Sequence, residues 1–400
     1  MLQPQNNYST PLQNRTTIFD FIIVGAGCAG LSLAMHLLRS SLLQNKTLLI
    51  IDADPKEKND RTWCFWEKEP GLFQPVVAKE WQELWVHSSS HSKKLDMQPY
   101  TYKLVRGIDF YHYCKKELQQ HPQVKWLRQK ADGIEHRAGK AVVHVQENAF
   151  EAAYVFNSVL FGSPRLRKDE YWLLQHFEGW YIKAPGAPFN SSAATLMDFR
   201  CSQEQGTAFF YVLPLSASEA LVEYTLFSAR LLSPAAYTNA LRQYLADRLK
   251  LENYQVAEEE FGVIPMTNHV FQQRNGNIIN IGTAGGQTKG STGYTFRYIQ
   301  KQSAAIVKNL QHHGTPFPLP DTPRRFRFYD SVLLNILHRN SVPGDRIFST
   351  LFEKNKAHDI FSFLDNESSP AQDLRIISSL PVLPFATAAL RHLLTPRTAQ

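Results

Sequence analysis

The spacing of apolar positions changes several times along this chain, and each change marks an element. Residues 1–16, rich in Asn, Gln, Ser, Thr and Pro, read as a flexible tail. Phe21-Ile22-Ile23-Val24 is an unbroken apolar run, the pattern of a strand buried on both faces of a parallel sheet. Gly25-Ala26-Gly27-Cys28-Ala29-Gly30 interrupts it, and Leu31, Leu33, Ala34, Leu37 and Leu38 then recur at helical spacing. A second run from Thr47 to Ile51 closes on Asp52. Strand, glycine turn, helix and strand make a βαβ unit of the expected size.

The middle of the chain reads differently. Ala194 to Arg200 is strand-like, and Phe209 to Leu215 with Ala220 to Ser228 flank Ser216-Ala217-Ser218-Glu219 as an antiparallel hairpin. A helix is expected from Ser233 to Leu249, with Pro234 at its start. Gly276 to Thr283 then gives a strand and Tyr294 to Leu310 a helix. Beyond Pro316, Pro318, Pro320 and Pro323 the chain is helical from Arg325 and ends in the apolar stretch Leu380 to Leu390, expected to pack inside the helical region. No internal repeat is evident.

Composition narrows the classes. With 43% hydrophobic and 20% charged residues the chain can bury a sizeable core. The net charge of +7 comes from scattered Lys and Arg, without the clustered runs of a nucleic-acid binder. Cys28, Cys64, Cys114 and Cys201 form no C-x-x-C pair, and the 14 histidines show no ligand spacing. No metal site is therefore read, and a reducing, cytoplasmic compartment fits the cysteines. The apolar stretch Phe21 to Leu38 is broken by three glycines and His36, so a strand–turn–helix explains it better than a membrane span.

G-x-G-x-x-G alone is weak, but here it joins a buried strand to an apolar helix. Gly25 makes the tight turn, Gly27 lets a pyrophosphate approach with Ala26 beside it, and Gly30 packs helix against strand. Asp52, 22 residues beyond Gly30, can accept ribose hydroxyls. A second glycine cluster, Gly282, Gly285 and Gly286, leads to Thr292 and Gly293, which open a helix whose N-terminus can hold a flavin oxygen or a phosphate. Thr283 stands where many FAD proteins carry Asp. An ordinary strand–helix loop is the alternative, but two glycine sites favour FAD over NAD as the tightly held nucleotide. The fold class is thus α/β: a Rossmann-like FAD-binding domain (18–75, 100–165 and 275–312), a mainly antiparallel β substrate domain with helices (76–99 and 166–274), and a helical C-terminal region (325–392).

Asp60-Arg61-Thr62-Trp63-Cys64-Phe65-Trp66, Leu221-Val222-Glu223-Tyr224-Thr225, and Gly285-Gly286 with Ser291-Thr292-Gly293-Tyr294 resemble, in order and approximate spacing, the bacterial lycopene β-cyclase family. The resemblance covers roughly residues 20 to 385. It implies a flavoprotein that closes the ψ-ends of lycopene, through monocyclic γ-carotene, into the β-ionone rings of β-carotene. It also implies a requirement for reduced FAD, with NADPH as reductant and no net redox change. Under that resemblance Glu223 matches the essential acidic residue and Asp198 a recurrent acidic position. Gly25, Gly27, Gly30 and Asp52 would hold FAD.

The residues make sense of such chemistry. Strand alternation places Leu221, Glu223, Thr225 and Phe227 on one face; the pattern alone reads Glu223 as a solvent-facing strand carboxylate, whereas the resemblance implies a buried one, which desolvation would keep protonated. The proton donor is then Glu223 or the reduced flavin. Asp198 shares a face with Leu196 and Arg200 as a second carboxylate or an ion-pair partner. Arg61 is a candidate phosphate contact or a surface residue. Trp63, Phe65, Trp66, Trp81 and Trp85 form an aromatic run that is core or polyene lining. Glu258-Glu259-Glu260 reads as a solvated face. A C40 hydrocarbon must be drawn from a bilayer, so peripheral contact with the inner face of the cell membrane is expected; the positive charge could serve it, and so could Leu380 to Leu390 as the alternative to packing inside the helical region. Rival readings are an FAD monooxygenase or prenyl reductase and a non-catalytic prenyl-binding protein. Oligomeric state is not readable.

Overall fold

The computed structural model describes residues 17–137 and 139–394; the tail expected at residues 1–16 lies outside them. Strand Thr17–Val24 lies between parallel strands Leu48–Ile51 and Asn148–Asn157, with Val124–Leu127 and Ile278–Asn280 parallel outside them. The unbroken apolar run has a direct cause. Phe21 and Ile23 pack on helices Cys28–Arg39 and Phe296–His313, while Ile22 and Val24 pack under the antiparallel extension Lys140–Val145. Both faces are therefore dry. The strand expected at Gly276 to Thr283 is short, because a turn at Gly276 opens it and a 3-10 turn over Gly282–Gly285 follows.

A second sheet runs in the order Gln255–Thr267, Trp172–Lys183, Glu219–Ser228, Thr207–Pro214, Ala193–Asp198, Glu83–His87 and Ser92–Asp96. Every pairing in it is antiparallel except that of Ala193–Asp198 with Glu83–His87. Leu221 and Phe227 face a core shared with the C-terminal helices, whereas Val222, Tyr224 and Leu226 face helix Pro234–Asp247. A three-stranded sheet, Thr62–Glu67, Arg106 back to Thr101, and Lys79–Trp81, stands between the two larger ones.

Two expectations are corrected here. Asp198 does not share a face with Leu196. The pairing is irregular between Thr195 and Asp198, so Leu196 and Met197 both enter the core shared with the C-terminal helices and Asp198 turns the other way. The apolar C-terminal stretch forms helix Val382–Leu394 but is not buried within the helical region. Ala388 is buried against helix Arg324–Arg339, whereas Leu383 is 81% and Leu394 79% exposed.

The glycine turn is fixed by close approach. A Cβ on Gly30 would lie 1.9 Å from the Gly25 carbonyl oxygen, whereas one on Gly27 would meet nothing within 4 Å. Gly30→Ala is therefore expected to lose at least ~2 kcal/mol of stability by overpacking, and Gly27→Ala less than about 1. Thermal or denaturant melts of the two variants check this, and equal losses would contradict it.

Candidate active site

A cavity of about 510 Å3 lies between the parallel sheet and the seven-stranded sheet. At one end Gly27, Cys28 and Ala29 begin helix Cys28–Arg39, which carries no side-chain cap, so its first N–H groups face the cavity with the positive end of the helix dipole. Asp52 follows strand Leu48–Ile51. Its Oδ2 accepts the Ala26 N–H at 2.5 Å and its Oδ1 the Asp54 N–H at 2.7 Å. Each oxygen keeps a second lone pair for a hydroxyl. Gly282 and Thr283 line the same end, and a Cβ on Gly282 would press on Ala29 at 2.6 Å.

Thr292 and Gly293 line the cavity just before helix Phe296–His313. Gly293 has φ +73°, and a Cβ there would lie 2.3 Å from Gln175 Oε1. The buried Gln175 Oε1 and Thr292 Oγ1 have no partner among the described residues. Buried unpaired polar atoms aimed at a cavity fit a polar ligand that completes them. The donor-rich glycine turn, the open face of Gly27 and these two atoms are together compatible with a flavin dinucleotide.

The other end holds Glu223, at the centre of strand Glu219–Ser228 among Leu221, Tyr211 and Phe177. Its Oε1 accepts the Thr225 hydroxyl at 2.5 Å. Cross-strand pairing puts Gly179 opposite Glu223 on one side and opposite Glu260 on the other, so the two carboxylates share one row of the sheet with a residue lacking a side chain between them. Glu260 is 4% exposed, which corrects the expectation of a solvated Glu258-Glu259-Glu260 face. Glu258 and Glu259 are exposed; Glu260, on the face opposite Glu259 and farther than Glu258 from the bulge in this strand's pairing, is turned inward. The Thr62 hydroxyl donates to Glu260 Oε2 at 2.7 Å; having spent its one proton there, it accepts from Tyr181 OH at 2.6 Å. Burial, then the like charge of Glu260, pushes the Glu223 carboxyl well above the usual range. Burial likewise raises Glu260, against the opposing effect of the Thr62 hydroxyl.

The remaining sequence candidates separate into supports and outsiders. Gly25 and Gly30 shape the turn from behind, and Arg61 lines the cavity while pairing with Asp60 at 3.0 Å. Gly285 is buried behind the second turn, and Gly286 is exposed beside Phe271. Asp198 is not brought to Glu223. It lies on the opposite sheet face, gripped by Arg200 at 2.7 and 2.8 Å and by the Tyr244 hydroxyl at 2.7 Å. Burial alone would raise its carboxyl, but Arg200 and Tyr244 hold it below the usual range. Of the aromatic run, Phe65, Trp66 and Trp81 are core, Trp63 lines the cavity, and Trp85 stacks on His87. Glu260 and Thr62 were missed. Thr62 lies inside the Asp60–Trp66 segment that carries the family resemblance, whereas nothing local distinguishes Glu260 from Glu258.

The two sheets with a glycine turn at the nucleotide end define the class. The chain superposes on a flavoprotein/dehydrogenase from Cytophaga hutchinsonii with TM-score 0.64 at 11% identity, covering 94% of this chain and 99% of that one. The fold is the Rossmann-like one of FAD-dependent oxidoreductases. The family described as lycopene cyclase protein matches residues 20–390, and the chain belongs to that family. It is 24% identical over 263 residues to a lycopene beta-cyclase from Pantoea ananas, covering 62% of this chain and 63% of that protein. It is 27% identical over 256 residues to a lycopene beta-cyclase from Pseudescherichia vulneris, covering 62% of each. The matched segments thus span just under two thirds of these curated relatives.

Raised carboxyls make the site a source of pH-dependent instability. A proton held in the folded state and released in the unfolded one stabilises fully below the ordinary carboxyl range of about 4.3, and that stabilisation is lost as pH rises through the raised folded value. Glu223→Gln is therefore expected to gain stability relative to the native chain as pH rises from about 4.5 toward 8, by on the order of 1.4 kcal/mol per unit of the raised interval. Urea midpoints of both proteins across that range check it; a difference independent of pH would contradict it.

Proposed function

We propose that the protein is a lycopene β-cyclase, closing the ψ-ends of lycopene, through γ-carotene to β-carotene, without net oxidation or reduction. The observation that carries this reading is a buried carboxyl, Glu223, at the apolar end of a cavity whose other end is a dinucleotide-type glycine turn, where burial favours its protonated form. Gly27, Asp52, Thr292 and Gly293 would hold FAD, and Arg61 its phosphates. Reduced FAD, with NADPH as its reductant, would supply electron-rich stabilisation of a cationic end group.

The chemistry follows from what surrounds Glu223. An isolated alkene is a poor base, so its protonation needs an acid kept undissociated in a dry site. Glu223 gives its proton to the terminal double bond, and the positive charge settles on the tertiary carbon. The next double bond attacks that carbon and closes the ring. Loss of a ring proton to the Glu223 carboxylate then leaves the β-ring and restores the acid. Leu221, Phe177 and Tyr211 exclude water that would otherwise capture the cation. On this reading Asp198 acts by fixing the sheet through Arg200 and Tyr244, without touching substrate.

So apolar a substrate would reach the cavity from a bilayer. No helix among the described residues is long and apolar enough to cross a membrane. Helix Val382–Leu394 exposes Val382, Leu383, Leu390, Leu393 and Leu394 and carries Arg391, a pattern suited to lying on an anionic bilayer at the inner face of the cell membrane. Leu383→Ser combined with Leu390→Ser is expected to weaken co-sedimentation with anionic lipid vesicles at least threefold; unchanged co-sedimentation would contradict this role for the helix.

Expression in lycopene-accumulating cells, followed by pigment chromatography, tests the activity. β-Carotene or γ-carotene is expected from the native chain. Glu223→Gln should keep its flavin and lose at least 100-fold in ring formation, within the range of general acid catalysis. Unchanged lycopene with a flavin-loaded native protein would favour a monooxygenase or reductase that consumes NADPH stoichiometrically. Unchanged lycopene with a colourless protein would favour a prenyl carrier.

A further inference from the structure

Glu260 has no place in the steps above, yet it is buried beside the Glu223 row with only one of its oxygens satisfied. It sits on strand Gln255–Thr267, one strand beyond Gly179, in the sheet row that contains Glu223 and Tyr211. A Cβ on Gly179 would lie 3.1 Å from Glu260 Cγ and 3.3 Å from its Oε1, so the Glu260 side chain leans into the space that Gly179 leaves toward Glu223. One oxygen, Oε2, takes the Thr62 hydroxyl. The other, Oε1, is buried and receives no hydrogen bond from any described residue.

An orphaned buried carboxylate oxygen is costly unless a donor reaches it. The group placed to give one is Glu223, and it has a proton to give only when it is un-ionised. Glu260 does not line the cavity, whereas Glu223 and Thr62 do. We propose, resting on the cyclase reading above, that Glu260 is a positioning residue. With the Thr62 hydroxyl favouring its charged form behind the cavity wall, it accepts a hydrogen bond from the Glu223 O–H across Gly179 and so keeps the shared proton on Glu223 for delivery to the substrate. The pair carries one proton between turnovers. During catalysis that proton forms the new C–H bond and Glu223 becomes a carboxylate. The ring proton then re-forms its O–H, so no further acid or base is consumed. Tyr181, donating to Thr62, fixes the direction of the Thr62 hydroxyl.

Other groups facing the pair do not supply this role. The phenols of Tyr102, Tyr181, Tyr211 and Tyr294 and the thiol of Cys64 are all pushed upward by burial and stay neutral over the working range. Asp60 and Arg61 are paired with each other at 3.0 Å.

The test is the pH profile of ring formation by the purified, FAD-loaded full chain, with NADPH and lycopene in phosphatidylcholine vesicles. Glu260→Gln keeps an acceptor for Thr62 but removes the charge. Its activity is expected to fall at least tenfold at neutral pH and to return in acid. The alkaline limb should move down by one pH unit or more, with KM within threefold of native. Thr62→Val, which frees Glu260 to compete for the proton, should lower kcat at neutral pH at least threefold, and it serves if Glu260→Gln does not fold. An alkaline limb unmoved in Glu260→Gln, or native kcat in Thr62→Val, would overturn the proposal. An equal loss at every pH would do the same, because it would mark a merely structural role. No ring formation by the native chain would overturn the cyclase reading, and the role of the pair with it.

Discussion

Placing two carboxyl groups in one dry row of a β-sheet is the constraint on which the rest of this molecule turns. Two neighbouring buried carboxylates cannot both ionise cheaply, and each must find donors. The surrounding residues answer that demand in detail. Gly179 supplies room between the strands, Thr225 supplies a hydroxyl to Glu223, and Thr62 supplies one to Glu260. Those two threonines come from the Arg-Thr-Trp and Glu-x-Thr segments, which lie 163 residues apart in sequence and meet only because the small central sheet abuts the seven-stranded one. What joins these motifs is therefore a pair of buried carboxyls, each bonded by one of the two threonines.

The parts legible in the sequence are those whose physics is local. The βαβ unit showed itself because a strand covered on both faces must be apolar throughout, and because Gly30 has no room for a Cβ. The hairpin around Ser216 to Glu219 was visible for the same reason, since its turn and both strands are contiguous. Alternation along Ala220 to Ser228 was also enough to place Glu223 with Leu221 and Phe227.

Non-local pairing hid the rest. Asp198 obeys alternation only as far as Leu196; the irregularity beyond it depends on strands that arrive from residues 83–87 and 207–214. Glu260 sits in a run of three acids whose first two members are exposed, and composition cannot say which of three successive acids turns inward to meet Thr62. The strands Glu83–His87 and Ser92–Asp96 are short and polar in part, and they gain their identity from the parallel partner Ala193–Asp198. The exposed face of Val382–Leu394 shows the converse. Its apolar content suggested burial, but one stripe through Ala388 is all that helix Arg324–Arg339 covers.

A site that holds carboxyls away from their preferred charge state draws on stability made elsewhere. That stability is tied to the same loops. Lys289, almost wholly buried, bonds Asp330 at 2.8 Å and Asn366 at 2.9 Å, and Ser291 bonds the same Asp330 oxygen at 2.6 Å. These contacts pin the segment before Thr292 and Gly293 to helix Arg324–Arg339. Lys103, equally buried, bonds Glu67 at 2.9 Å at the far end of the strand that begins with Thr62. Removing one member of such a buried pair leaves an uncompensated charge and costs several kcal/mol, far more than an exposed pair contributes. Rigidity is thereby concentrated in the two segments that deliver Thr62 and Thr292 to the cavity. The C-terminal helices thus do more than cover apolar surface, since through Asp330 helix Arg324–Arg339 anchors the segment that leads into Thr292 and Gly293.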